Sequence, residues 1–190
     1  MLNQLIAVTL RLLLFRAGPQ DFPYTQALAL WMPAAAIATY FILFRTVLPT
    51  GAALVLASVS VAALSFVTHS LLSARRVANR FQQTYHALLA TSIVLTLASV
   101  PPMTALAPAL RQIAQNPDLL QQPGIADASP AASLLVNALN LWNFFVSAHI
   151  FRHATDARLW TGVLIAVFVV FSVLLLSLLF AQMFVSLLRA

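Results

Sequence analysis

The charged residues of this chain are so sparse that they divide it into long uncharged stretches. Cutting the 190-residue sequence at every Arg and Asp leaves five intervals of more than 20 residues, at 22–44, 46–74, 81–110, 128–151 and 159–188. A membrane-spanning helix needs about 20 mainly apolar residues, and a charge at the bilayer centre costs at least ~2.5 kcal/mol. The intervals therefore predict five transmembrane helices, at approximately 25–44, 51–73, 84–106, 131–151 and 159–187.

The composition excludes a water-soluble domain. Only 7% of the residues are charged and the mean hydropathy is +0.93, whereas about 25% of a soluble domain is charged because its surface faces water. The net charge of +6 comes from arginines at the ends of the apolar stretches, so it is read as a topology signal and no nucleic-acid partner is expected. Because Cys is absent, the chain can form no disulfide, thiolate nucleophile or iron–sulfur cluster.

We predict an all-α fold, an integral membrane bundle over residues 22–188 preceded by a separate amphipathic helix over residues 1–18. Pro33 is expected to kink the first span, and Pro101, Pro102 and Pro108 are expected to end the regular part of the third near Val100. The one long loop, 114–130, contains many turn-forming residues and is too short for a catalytic or binding domain.

The N-terminal segment has the pattern of a helix that lies in the membrane interface. Its polar face would carry Gln4, Ala7 and Arg11, and it would end at Gly18-Pro19. A short sixth membrane element and a frayed tail are the alternatives. The apolar face would be formed by Leu2, Leu5, Ile6, Leu12 and Leu13.

The arginines predict the orientation, because basic residues accumulate on the cytoplasmic side. With five spans, one side holds seven arginines and the other three, together with the loop that contains Asp118 and Asp127. We therefore expect a cytoplasmic N-terminus and an outer C-terminus; the resemblance described below implies that the membrane is a bacterial inner membrane. The seven are Arg11, Arg16, Arg75, Arg76, Arg80, Arg152 and Arg158, and the three are Arg45, Arg111 and Arg189.

The fourth predicted span is the richest in polar side chains. Asn137, Asn140 and Asn143 recur every three residues and would form a stripe continued near Ser147. Such amides usually form hydrogen bonds between helices, and the alternative is a polar pathway for a small solute or a proton. Trp142 lies in mid-span, so we expect its ring to pack against another helix at the structural centre of the bundle.

All four histidines fall on the predicted cytoplasmic side, at positions 69, 86, 149 and 153. His149 and His153 are one helical turn apart, a spacing that allows two imidazoles to bind one metal ion. A haem bound by paired histidines would need His69 or His86 deeper in the bilayer. Hydrogen-bonded anchoring at headgroup level is the more ordinary use, so no cofactor is predicted.

Five arginines on the predicted cytoplasmic side make a modest basic surface. We expect this surface to bind anionic lipid headgroups, with an attraction of ~1 kcal/mol per residue. The alternative is that these arginines only fix the topology. They are Arg75, Arg76, Arg80, Arg152 and Arg158. The sequence contains no glycine-rich phosphate loop, no paired carboxylates and no Ser, His and Asp set with credible spacing. A non-enzymatic protein is therefore predicted, with the lipid bilayer and other membrane proteins or further copies of itself as partners.

Two stretches resemble the bacterial branch of the YIP domain family of membrane proteins. One is RFQQTYH at 80–86, leading into an apolar span closed by Val100-Pro101-Pro102. The other is NLWNFF at 140–145, followed by HIFRHAT at 149–155 and a final apolar span. The resemblance covers most of the chain, although the long hydrophilic N-terminal region of eukaryotic members is missing. It implies a non-enzymatic protein of membrane organisation or trafficking.

Three functions are therefore considered. The leading one is a non-enzymatic inner-membrane bundle that organises membrane or partner proteins through its helix faces. The second is a small solute or proton transporter or channel that uses the stripe of asparagines, and the third is a b-type haem or quinone protein that uses the histidines. The patterns also predict that Asn143→Leu lowers stability slightly and that Trp142→Ala lowers it by about 3–5 kcal/mol.

Overall fold

The computed structural model describes residues 2–23, 25–116 and 129–189, with side chains through residue 183, and this part of the chain is helical with no strands. The all-α prediction is confirmed. The predicted loop residues Asp118 and Asp127 lie outside the described residues. The helices are α1 (Leu2–Leu13), α2 (Leu28–Arg45), α3 (Thr50–Ala74), α4 (Phe81–Gln115), α5 (Pro130–Ala154) and α6 (Leu159–Arg189), with short 3₁₀ turns at Pro19–Asp21 and Ala78–Arg80.

Within the described residues, five helices, α2 to α6, are long and apolar enough to cross a membrane, as predicted. They pack side by side as a closed ring in the order α2, α4, α5, α6, α3. Helices α3 and α4 follow each other in sequence but touch only slightly, because α2 lies between them in the ring. The interior of the ring is therefore bordered by all five spanning helices.

Helix α4 continues through three prolines to Gln115, so the prediction that its regular part ends near Val100 is wrong. In a helix interior, each proline removes one backbone hydrogen bond and its ring crowds the carbonyl four residues earlier, which kinks or breaks many helices. Around these prolines, the hydroxyl of Ser99 donates to the Leu95 carbonyl at 2.8 Å and that of Thr104 donates to the Pro101 carbonyl at 2.7 Å. Neighbouring helices and such hydroxyls allow transmembrane helices to tolerate proline.

The N-terminal amphipathic helix is present as α1, and it packs against α4 and α5. Leu12 and Leu13 are buried in the main core, whereas Leu2 and Ile6 are 69% and 51% exposed. Part of the predicted apolar face of α1 therefore packs against the bundle, and the rest of it is exposed. The helix ends at Leu13, before the predicted Gly18, and Phe15 beyond it has a left-handed backbone with φ of 58°.

Trp142 does not lie at the structural centre of the bundle. Its side chain is 42% exposed and packs on Phe15, with ring centroids 5.3 Å apart. Its indole N–H donates to the Leu13 carbonyl at 3.1 Å. That carbonyl belongs to the last turn of α1, where the oxygens lack partners within the helix. Trp142 therefore attaches the end of α1 to the middle of α5.

We expect Trp142→Ala to release the N-terminal segment while the bundle stays folded. The variant loses one hydrogen bond and one ring contact, each worth about 0.5–1.5 kcal/mol, instead of a fully buried aromatic side chain. Amide hydrogen exchange should quicken over residues 2–16 and stay unchanged in α5. Trp142→Phe, which keeps the ring contact, should show a smaller increase. A loss of global stability of about 3–5 kcal/mol would instead show that Trp142 lies at the centre of the bundle, as the sequence predicted.

Candidate functional site: a cavity inside the ring of helices

The ring encloses a cavity of about 360 Å³ to which each of the five spanning helices contributes side chains. Asn143 lies near the midpoint of α5, so the cavity is at about half the depth of the spans. Most of the lining is apolar and includes Leu64, Leu88, Phe151 and Val169. The polar lining residues are Tyr40, Ser60, Ser92, Asn143, Ser147 and Ser177.

Two pairs of hydroxyl groups join neighbouring helices across this cavity. The Ser60 and Ser177 oxygens are 3.3 Å apart, between α3 and α6. Ser60 donates its only hydroxyl hydrogen to the Leu56 carbonyl at 2.7 Å, so Ser177 is the donor in the pair. Between α2 and α4, the side chains of Tyr40 and Ser92 are close neighbours. Ser60 and Ser177 therefore already have partners within the protein.

Asn143 differs from them. Its side-chain oxygen Oδ1 is buried and has no hydrogen-bond partner anywhere in the described part of the chain. A buried polar atom without a partner costs about 1–3 kcal/mol. Ser147, one helical turn away, lines the same cavity. Asn143 is thus a lining residue of an apolar cavity, and its oxygen is a hydrogen-bond acceptor without a donor among the described residues.

The predicted asparagine stripe reaches the cavity only at its last member. Asn137 and Asn140 are exposed, and of the three only Asn143 is among the lining residues. A three-residue step turns an α-helix by about 300°, so each asparagine is rotated by about 60° from the one before. The four-residue step from Asn143 to Ser147 drifts by about 40° and keeps both on the cavity.

The histidines do not come together as one site. The rings of His149 and His153 are 4.5 Å apart, as their spacing predicted, and His149 Nε2 is 3.0 Å from the Ala17 carbonyl oxygen. His69 is exposed and packs on Phe81, whereas His86 is buried beside Phe22. The described residues contain no group of three or more metal-binding side chains.

Of the five arginines expected at lipid headgroups, Arg80 is used by the protein. It forms an ion pair of 2.6 Å with Asp156 and donates to the Ala154 carbonyl at 3.1 Å. It therefore caps the C-terminus of α5, where carbonyls lack helical partners. The side chains of Arg75, Arg76, Arg152 and Arg158 are exposed, and their contact with headgroups stays a prediction.

Apart from Ser147, the hydroxyl residues of the cavity were not identified from the sequence. Tyr40, Ser60, Ser92 and Ser177 lie in four different spans, and only the order of the ring brings them together. Comparison of the chain with protein-family models, curated proteins and solved structures found no match.

Proposed function

We propose that this membrane protein binds a small, mainly apolar molecule that carries a hydrogen-bond donor, in the cavity between its five spanning helices. The observation that carries the proposal is the buried Asn143 oxygen, which has no partner among the described residues. A donor on the ligand would remove that cost on binding. The volume of about 360 Å³ lies within the range of small-molecule sites.

The lining argues for an uncharged ligand. None of the described residues that border the cavity carries a charge, and the Ser60 and Ser177 hydroxyls there already have partners. An ion entering a membrane must have its hydration shell replaced by several oxygens or by opposite charges. An apolar molecule with one N–H or O–H group needs only a single acceptor, which Asn143 offers.

Analysis of what co-purifies with the protein tests this proposal. The protein would be extracted in mild detergent, and organic extracts would be compared by mass spectrometry for wild type, Asn143→Leu and Asn140→Leu. We expect a molecule enriched with wild type and Asn140→Leu but reduced at least tenfold with Asn143→Leu. Equal enrichment in all three proteins, or none in any, would refute the proposal.

In the ligand-free protein, Asn143→Leu is expected to leave stability unchanged or slightly raised. Leucine replaces a buried carbonyl that lacks a partner in the described residues, and removing such a group is not penalised. This reverses the small loss expected from the sequence. For a transporter or channel role, a flux assay should likewise compare Asn143→Leu with Asn140→Leu, since only Asn143 lines the cavity.

A non-enzymatic role in membrane organisation, which the YIP domain resemblance implies, is the second candidate. It is favoured by α1, which exposes Leu2, Ile6 and Leu10 beside the bundle. Such a face can insert between lipids. Removal of residues 2–16 should then abolish any change that the protein causes in vesicle shape, whereas the molecule that co-purifies with the protein should be retained. If the truncated protein changes vesicle shape as the wild type does, this role for α1 is excluded.

The orientation proposed for this protein has the N-terminus in the cytoplasm of a bacterium and the C-terminus outside. Reporter fusions within residues 73–82 should show a cytoplasmic location, and fusions after residue 190 an outer one. The reason is the excess of arginines in the N-terminal, α3–α4 and α5–α6 segments. The opposite pattern of reporter activity would invert the topology.

A further inference from the structure

A second cleft, of about 390 Å³, lies between α2, α3 and the start of α4. Its walls include Pro33 and Ile37 of α2, Ser65 of α3, and Gln82 and His86 of α4. No residue in the described part of the chain lines both this cleft and the central cavity. Its ligand is therefore independent of the one proposed above.

Two polar atoms at this cleft lack partners. His86 is only 2% exposed, and its Nδ1 has no hydrogen-bond partner within the residues described. The Oε1 atom of Gln82, one helical turn earlier, is also buried and equally without a partner in that part of the chain. Two such atoms on one face of a helix cost more than a protein usually leaves uncompensated.

One hydroxyl that lines the cleft is already used. Tyr85 lies between Gln82 and His86 in sequence, but its hydroxyl donates to the Val61 carbonyl at 3.2 Å. Its ring stacks on Phe81 with centroids 5.4 Å apart and planes inclined by only 10°. The residues that line the cleft thus include two stacked aromatic residues and two residues with a buried polar atom that lacks a partner among the described residues.

We propose that this cleft binds the hydroxyl group of a phenol or quinol dissolved in the bilayer. An O–H group both donates and accepts, so it can donate to Gln82 Oε1 while its oxygen accepts from a protonated Nδ1 of His86. A ligand that has only carbonyl or ether oxygens would leave Gln82 Oε1 unpaired. An aromatic ring suits the wall formed by Phe81 and Tyr85.

The position of the cleft fits such a ligand. Gln82 and His86 belong to the first two turns of α4, close to one end of the span. Amphipathic rings with one polar group collect near that depth of a membrane. The apolar tail of a quinol would extend beside α2 and α3, where Ile37 and Ala62 border the cleft.

A matched pair of ligands tests the proposal. The probes are a radiolabelled benzoquinol with a ten-carbon chain, kept reduced under nitrogen, and its dimethyl ether, which keeps the ring and chain but has no O–H. Saturation binding would be measured on the protein in nanodiscs, with empty nanodiscs subtracted. Binding would be measured in the Asn143→Leu background, which lacks the acceptor of the central cavity. We expect one saturable quinol site per protein in that background and binding weaker by at least about tenfold for the ether.

Variants locate the site. Gln82→Met, which keeps the side-chain length and removes the acceptor, should weaken quinol binding by about tenfold and leave ether binding unchanged. Gln83→Met is the control, because Gln83 lines a different pocket together with Arg80. Because both variants are made in the Asn143→Leu background, their difference reports on this cleft and not on the central cavity. Three results would overturn the proposal and leave water as the occupant of the cleft. They are equal binding of quinol and ether, no saturable binding of the quinol, and equal quinol affinities of the Gln82 and Gln83 variants.

Discussion

Replacing Gly162 by alanine is expected to destabilise the bundle by about 1–3 kcal/mol, and replacing it by leucine by more. A Cβ atom at this buried position would lie 2.5 Å from the Ala148 carbonyl oxygen and 2.8 Å from the Arg152 Cβ. The first of these is backbone, so relief requires α5 and α6 to move apart. Small residues permit this kind of close helix contact within membranes.

The effect should extend to the cavity, because the α5–α6 contact is one of the five that close the ring. Ala148 and Ala166 are also almost completely buried, at 1% and 0% exposure, so this interface has no room to adapt. We therefore expect Gly162→Leu to reduce co-purification of the cavity ligand as well as stability. Both changes follow from one displacement of α6.

Gly51 provides the matched control. It is exposed in the first turn of α3, and among the described residues no neighbouring atom lies within 4 Å of where its Cβ would be. Gly51→Ala should be neutral or slightly stabilising, because alanine favours a helix over glycine. Thermal unfolding of the four proteins in one detergent gives the comparison. Equal effects of alanine at both glycines would contradict the close α5–α6 contact.

Phe151→Ala should cost about 3–5 kcal/mol, the largest loss expected from a single core side chain here. Phe151 is 1% exposed, belongs to the main core and also lines the cavity. Removing the ring deletes its packing and joins the vacated space to the cavity. The variant should therefore unfold at lower temperature and bind the cavity ligand more weakly, since a larger cavity makes fewer contacts with it.

Phe171→Ala is the control for this change, because Phe171 lies on α6 with 69% of its side chain exposed. In a membrane that surface faces lipid, and its loss removes little packing within the protein. Denaturant titration in micelles should show little change for Phe171→Ala. If the two variants lose similar stability, Phe151 is not a core residue and the packing of α5 described above is incorrect.

The spans were predictable because lipid imposes a simple rule on sequence. Charges are costly in the bilayer, so the gaps between Arg and Asp located the five helices, although several helix ends differ from the prediction by several residues. The end of α4 was misplaced because proline is a reliable helix terminator only where water can satisfy the freed carbonyls, as it does in soluble proteins. The docking of α1 was missed because a wheel diagram separates polar from apolar faces without identifying which apolar residues meet protein.

The site was less predictable than the fold. Asn143 and the His149–His153 pair were identified because the spacing of residues along one helix can be read directly from the sequence. The contributions of Tyr40 and Ser92, or of Ser60 and Ser177, depend on which helices are neighbours in the ring. That order follows from tertiary packing, as at Gly162, and no local pattern in the sequence specifies it.

An experimental structure of the purified wild-type protein with its co-purified lipids tests the central claim most directly. We expect a closed ring of five helices with non-protein density in the cavity, within about 2.7–3.2 Å of the Asn143 side-chain oxygen. The same density should be missing from Asn143→Leu. A wild-type cavity closed by its own side chains, with that oxygen bonded to another residue of the chain, would contradict the account.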